Sequence, residues 1–307
     1  MLRLADLPHA EVVRRLAQEG LRWRLGPALY HLHSDVAAIG VWLQTLYADA
    51  PVMEAGQGVT GCHAALLREP GLRRWFRPQV RLWVDGPTPF LPFPLDHAPP
   101  HLEWGLNFLF TTRHAHKLLL HAGVVERHGR ALILPGFPGY GKSTLTAALS
   151  LRGWRLFSDE FGLFEPGQGL AKPMPKAIAL KNEAIEVIRA WAPQAPLGPL
   201  FPKTRKGTVC HLYPAREAVQ RMDEGAVARW IVFPRYQAGV PLQLYPLTPE
   251  QLFPRLAGGA FNYETLGEAA FTTVAQLCQS CTAFEMPYSQ LSEAVQVLTQ
   301  MADEGIA

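Results

Sequence analysis

Gly136-Phe137-Pro138-Gly139-Tyr140-Gly141-Lys142-Ser143-Thr144 follows the apolar run Arg130–Leu134 and opens a stretch of helical periodicity, Lys142–Leu151. The nine residues fit GxxxxGK[ST] in full. Glycines at this spacing let backbone N–H groups turn inward around a polyphosphate, and the helix behind them adds its positive end. Lys142 is placed to reach the outer phosphates and the Ser143 hydroxyl to hold magnesium. A bare match of this kind arises by chance. A strand before it and a helix after it are the context that gives it meaning.

Working outward, Lys117–Glu126 (KLLLHAGVVE) is dense in Leu and Val, as in a strand buried on both faces. Arg127-His128-Gly129 turns it into Arg130–Leu134, so His121 is expected on the strand beside the one that feeds the loop. Beyond the helix, Arg152-Gly153 returns the chain as Trp154–Phe157, ending in Ser158-Asp159-Glu160. Phe161–Phe164, the turn at Pro166-Gly167 and Leu170 onward read as a hairpin. Strand, loop, helix and strand with functional groups at strand ends describe an α/β nucleotide site. Asp159 and Glu160 lie 17 and 18 residues after Lys142, and His121 lies 21 before it. One acid can bind metal while the other orients or deprotonates a hydroxyl, with His121 pairing to Asp159. A solvated turn and a packed core histidine are the competing accounts.

Composition agrees. The 307 residues are 48% hydrophobic and 18% charged, with a formal charge of +3, which excludes overall disorder and gives no sign of a nucleic-acid-binding chain. No run reaches the length of a membrane span, and the acids and arginines of the opening segment argue against an export signal. Cys62, Cys210, Cys278 and Cys281 are too few to staple the chain. The CxxC pair reads as two buried helical thiols, and a cytoplasmic location is expected.

Residues 1–100 read as a strand-rich accessory region with a helix at Val36–Tyr47, Asp35 as its cap, and a strand at Gln79–Val84. The prolines of Pro87–Pro100 read as a rigid connector or lid. Residues 101–307 read as the nucleotide domain, with a helix at Leu102–Thr112, strands at Thr208–Tyr213, Arg229–Phe233 and Val240–Tyr245, and a helical tail. Lys203, Arg205 and Lys206 form a basic loop that can clamp phosphate or acceptor. Alternation along Ala177–Leu180 lets only one of Lys176 and Lys181 face the nucleotide. Arg68, Arg73, Arg74, Arg77 and Arg81, with Trp75 and Trp83 interleaved, read as a solvated face or a dock for an acidic partner.

The run from His121-Ala122-Gly123 through Gly141-Lys142-Ser143 to Ser158-Asp159-Glu160 resembles the catalytic core of HPr kinase/phosphorylase, and it keeps both spacings. The whole chain resembles the HprK-related kinase A family more closely. Leu102-Glu103-Trp104-Gly105-Leu106-Asn107, Leu180-Lys181-Asn182-Glu183, Thr204-Arg205-Lys206-Gly207-Thr208-Val209 and Phe261-Asn262-Tyr263 extend the likeness over most of residues 20–300.

The resemblance implies a phosphoenolpyruvate-carboxykinase-like P-loop core and an ATP- and magnesium-dependent kinase acting on serine of a peptide or small protein. Asp159 would be general base with His121, while Ser143 and Glu160 would bind Mg2+. Residues 136–144 and Lys181 would bind ATP, with Arg205 and Lys206 assisting transfer. It also implies a PqqD-like peptide chaperone as possible partner and the option of oligomerisation. The segment that supports dephosphorylation and HPr docking has no clear counterpart here. A nucleotide-gated binding module and a small-molecule kinase are the alternatives.

Overall fold

The computed structural model describes residues 1–85, 89–136 and 139–305. Its first part runs α1 (His9–Ala17), β1 (Leu21–Leu25), β2 (Ala28–Ser34), α2 (Ala37–Leu46), β3 (Cys62–Arg68), β4 (Gln79–Val84), β5 (Phe93–Pro94) and α3 (Ala98–Arg113). The strands lie in that order in one sheet, antiparallel except for β2 beside β3. Alternation makes the sheet two-faced: Leu21, Trp23 and Leu25 point inward while Arg22 and Arg24 stay at the surface.

Several local expectations need revision. Asp35 does not cap α2; its carboxylate accepts from the Arg68 N–H instead. The proline-rich segment is not a free connector, because Phe93–Pro94 adds an edge strand to β4 and Ala98–Pro100 form the first turn of α3. Proline fits there because a first-turn N–H has no helical partner to lose. Pro87 lies outside the described residues. Gly105 lets α3 settle on β4, since a Cβ there would stand 1.8 Å from Leu82. The buried face of α3 (Leu102, Leu106, Leu109, Phe110) accordingly belongs to the same core as β1–β4.

The second part runs β6 (Leu118–Arg127), β7 (Arg130–Pro135), α4 (Lys142–Ser150), β8 (Arg155–Ser158), β9 (Phe161–Phe164), β10 (Leu170–Lys172), β11 (Ile178–Lys181), α5 (Glu183–Trp191), β12 (Phe201–Thr204), β13 (Gly207–Leu212), α6 (Arg216–Gln220), β14 (Ala226–Tyr236), β15 (Tyr245–Pro246), α7 (Pro249–Gly258), α8 (Tyr263–Leu266), α9 (Glu268–Ser280), β16 (Thr282–Tyr288) and α10 (Leu291–Glu304). This is a mixed α/β architecture. The central sheet follows β10-β9-β6-β7-β14-β16-β15, with β8 also on β6. β7, β14 and β16 are parallel, and β6 runs against β7. One face is packed by α4, α5 and α10 through Leu145, Ile188 and Leu298, and the other by α7 and α9 through Leu252 and Val274. A separate sheet, β11-β13-β12, flanks them.

The tail is not all helix. Thr282–Tyr288 is a strand paired in parallel with β14 along its whole length, and α10 begins only at Leu291. Val240–Tyr245 forms no strand of its own; only Tyr245–Pro246 pairs, at the sheet's edge. Cys278 lies in α9, but Cys281 falls just beyond it. All four cysteines are free, and burial pushes the thiols of Cys278 and Cys281 up to about 11, away from reactivity.

Candidate active site

The glycine-rich loop joins the C-terminal end of β7 to α4, where ligands of open α/β sheets bind. Gly139 and Gly141 both take positive φ, +90° and +83°. At Gly141 a second demand applies: a Cβ would stand 2.9 Å from the Tyr288 hydroxyl and 3.2 Å from the Tyr236 Cβ. The Tyr236 N–H donates to the Tyr140 carbonyl at 3.2 Å, tying the loop to the end of β14. Gly136 lines the cleft beside the loop, and Thr144 lies in the first turn of α4. Phe137 and Pro138 lie outside the described residues. Behind the loop, the α4 residue Thr146 is packed against β6 at Gly123, where a Cβ would meet its hydroxyl at 2.2 Å.

The two acids sit in an unusual place. β8 and β9 both pair with β6; past a one-residue shift in β8 between Val125↔Leu156 and Val124↔Ser158, the pairs Val124↔Ser158, His121↔Phe161 and Leu118↔Phe164 keep one register. They are two halves of a single line, interrupted at Asp159 and Glu160, which fall opposite Gly123 and Ala122. The acids are thus presented by the sheet itself and not by a free loop.

Asp159 is buried. Burial holds its carboxyl above the usual carboxylate range, opposed by the charge of Lys142 and by a hydrogen bond from the Ser143 hydroxyl. Its Oδ1 has no hydrogen-bond partner among the described residues. Lys142 is likewise buried, and desolvation pulls its ammonium down against the attraction of Asp159 and Glu160. His121 does not pair with Asp159. Its Nε2 lies 3.9 Å from Glu160 Oε1, close but longer than a hydrogen bond, because register sets it nearer the second acid. Burial first, then Lys142, Lys181 and Lys206, push the His121 imidazolium below its ordinary value, with Glu160 opposing.

The basic loop divides. It forms the tip of the β12–β13 hairpin, where a Gly207 Cβ would collide with Asn182 Oδ1 at 2.2 Å. Lys206 lies over the Trp104 ring, 5.1 Å from its centroid, and is drawn down by burial and by Lys181, with Glu160 opposing. It belongs to the site. Arg205 points elsewhere, 5.3 Å over Phe93. Lys181 is near Lys142 and Asp159, whereas Lys176 is committed to a buried pair with Glu103 at 3.0 Å and to Asn107 at 2.5 Å. Tyr47 donates to the other Glu103 oxygen at 2.8 Å. The Glu103 and Asn107 positions, one helical turn apart, thus serve Lys176 and not Lys181.

A cleft of about 740 Å³ opens between the loop and α7, bordered by His121, Gly136, Phe233, Arg235, Arg255 and Phe261 among others. Asn262 anchors its rim by accepting from the Leu119 N–H and donating to the carbonyls of Ala115 and Lys117. Sequence reasoning missed Phe233, Arg235, Tyr236, Arg255, Glu285 and Tyr288. The only available signal was the charged and aromatic continuation of a β14 expected to end at Phe233.

The residues fit a magnesium nucleotide. Asp159 Oδ1 is a buried carboxyl oxygen without a partner among the described residues, and Ser143 lies close to the same side chain. Among the described residues no group of three or more His, Cys, Asp or Glu gathers into a cage, so phosphate oxygens and water would complete the shell, as Mg2+ prefers. No helix among the described residues is long and apolar enough to cross a membrane. No protein-family model matches this chain, and no curated protein matches it.

Proposed function

We propose that the chain is an ATP- and magnesium-dependent kinase that phosphorylates a hydroxyl, on a P-loop core of the phosphoenolpyruvate-carboxykinase-like type that its sequence resembles. The acceptor would be serine of a peptide or small protein, with a PqqD-like chaperone as a candidate partner and the cytoplasm as its compartment.

One observation carries the reading: two adjacent acids, held by the sheet beside a phosphate loop, have different neighbours. Asp159 is the acid beside Ser143 and Lys142, and Glu160 is the acid nearest His121. This supports a division of labour that reverses the one implied by the resemblance. Ser143 and Asp159 would hold magnesium, which when bound neutralises phosphate charge. Glu160, the acid nearest His121, takes the proton of the incoming hydroxyl. Lys142, Lys181 and Lys206 surround the place where charge develops in phosphoryl transfer.

The test compares Asp159→Asn with Glu160→Gln by single-turnover transfer from labelled ATP to a cell-extract peptide pool, alongside Mg-ATP titration. Glu160→Gln should lower transfer by roughly 10²–10⁴-fold and leave nucleotide affinity nearly unchanged. Asp159→Asn should raise the magnesium needed for both binding and transfer. The opposite pattern returns the base to Asp159. Wild-type protein that binds Mg-ATP and transfers nothing is a nucleotide-gated binding module.

A further inference from the structure

Phe233 and Arg235 project from one face of β14, and Glu285 stands opposite Phe233 on β16 in the parallel register. α7 crosses this face and lays Arg255 over the Phe233 ring, 5.4 Å from its centroid. Arg255 Nη1 lies 3.0 Å from one Glu285 oxygen, and Arg235 Nη1 lies 3.8 Å from the other. One carboxylate therefore serves two guanidiniums, both still substantially exposed to the cleft. Two guanidiniums present more N–H donors than one carboxylate can accept. The cleft wall carries an excess positive charge and unused donors in a planar, carboxylate-matching form.

The cleft also has an apolar border. Phe261 is half exposed and its ring centre lies 5.4 Å from that of His121. His121, whose Nε2 is 3.9 Å from Glu160, thus borders the same cleft as the rings of Phe233 and Phe261 and the two arginines. A ligand that fills it can meet both the His121 side and an anion-binding pair.

We propose that this cleft is the acceptor site, and that the acceptor is a hydroxyl compound bearing a carboxylate, which Arg235 and Arg255 bind while Glu285 gives way. The inference rests on the kinase reading above. In the transfer the acceptor O–H gives its proton to Glu160, and its oxygen forms the new bond to the terminal phosphorus of ATP. The bond from that phosphorus to the bridging oxygen breaks, and ADP leaves with the electron pair. The carboxylate is supplied either by a free hydroxy acid or by an acidic side chain flanking a serine in a peptide.

Four probes separate these sources: L-serine, serinamide, an end-blocked Glu-Ser-Glu tripeptide and its Gln-Ser-Gln counterpart. Each is titrated into the full-length protein saturated with a magnesium complex of a non-hydrolysable ATP analogue, and transfer is then followed with ATP. At least one carboxylate probe should bind about tenfold or more tightly than its neutral mate, and which one it is identifies the source. Arg235→Ala/Arg255→Ala should abolish that preference and leave Mg-ATP affinity within about twofold. Glu285→Gln should tighten the carboxylate probe about threefold by removing the competing anion, a gain that a purely structural ion pair would not give.

Equal binding of charged and neutral probes, binding of none, or a loss of nucleotide affinity in the double arginine variant overturns the proposal. The last would make the cleft a nucleoside site. Failure of the wild type to bind Mg-ATP at all would instead remove the kinase reading.

Discussion

Gly141 and Tyr288 meet so closely that the glycine's missing Cβ is a condition for the phenol's position. Tyr288 is buried at the end of β16, and burial raises its hydroxyl above the ordinary tyrosine value. Gly141→Ala would impose both a left-handed alanine, costing about 1–2 kcal/mol, and a collision with the Tyr288 hydroxyl. Mg-ATP affinity should fall about tenfold or more by calorimetric titration. Adding Tyr288→Phe, which removes the colliding oxygen, should recover part of the loss. No recovery would show that backbone strain alone is responsible.

Lys206 and Arg205 are sequence neighbours with separate destinations, one over Trp104 near Glu160 and the other over Phe93. Lys206→Ala should slow phosphate transfer about tenfold with little change in thermal midpoint. Arg205→Ala should leave transfer within about twofold. Comparing the two variants at saturating nucleotide checks this directly, and equal losses would reunite them in one role.

His101 is buried flat against Phe93, with centroids 4.2 Å apart, and neither ring nitrogen has a partner among the described residues. Burial, reinforced by Arg205, lowers its pKa from 6.5 to about 4. The folded form therefore binds fewer protons than the unfolded chain between those values. Stability should be intact above pH 6.5 and decline as pH falls toward 4, by about 3 kcal/mol in all from this group. His101→Phe removes the titrating group and keeps the stack. Denaturant midpoints at pH 7 and pH 5 should differ less in this variant than in wild type.

Lys176, Glu103, Asn107 and Tyr47 form a buried polar cluster that joins α2, α3 and the approach to β11. Removing one charge strands the other, so Lys176→Ala should cost roughly 3–5 kcal/mol of folding stability. Lys176→Ala/Glu103→Gln should cost less than Lys176→Ala alone. Urea unfolding of the two proteins distinguishes this from a phosphate-binding role, which would lower nucleotide affinity and spare the midpoint.

Local chemistry made the loop legible. Glycine spacing, the apolar strand before it and the helical period after it are all contained within about twenty residues of sequence, and the strand carrying His121 is next to them. Pairings made over long separations were not legible. β16 reads poorly because Pro287 and Glu285 interrupt its apolar pattern, and its strand character comes from β14, some fifty residues away. Val240–Tyr245 shows the converse. Its alternation records contact with protein on one side, while most of it finds no ladder. The partner of His121 depended on the shared register of β8 and β9 along β6, which no spacing in the chain announces. Lys176 and Lys181 were separable by alternation, but the reason Lys176 is occupied lies on α3.

That α3 shares its buried face with β1–β4 and its polar residues with Lys176 bears on how the chain can be rearranged. A cut after Pro100 would leave the helix attached to the second part with its apolar side uncovered and Glu103 without Tyr47. A cut after Arg113 would leave the lysine without its carboxylate. Neither junction yields a self-sufficient half. The first hundred residues are therefore not an exchangeable module in a fusion or a swap between relatives; whatever replaces them must bring its own version of α3.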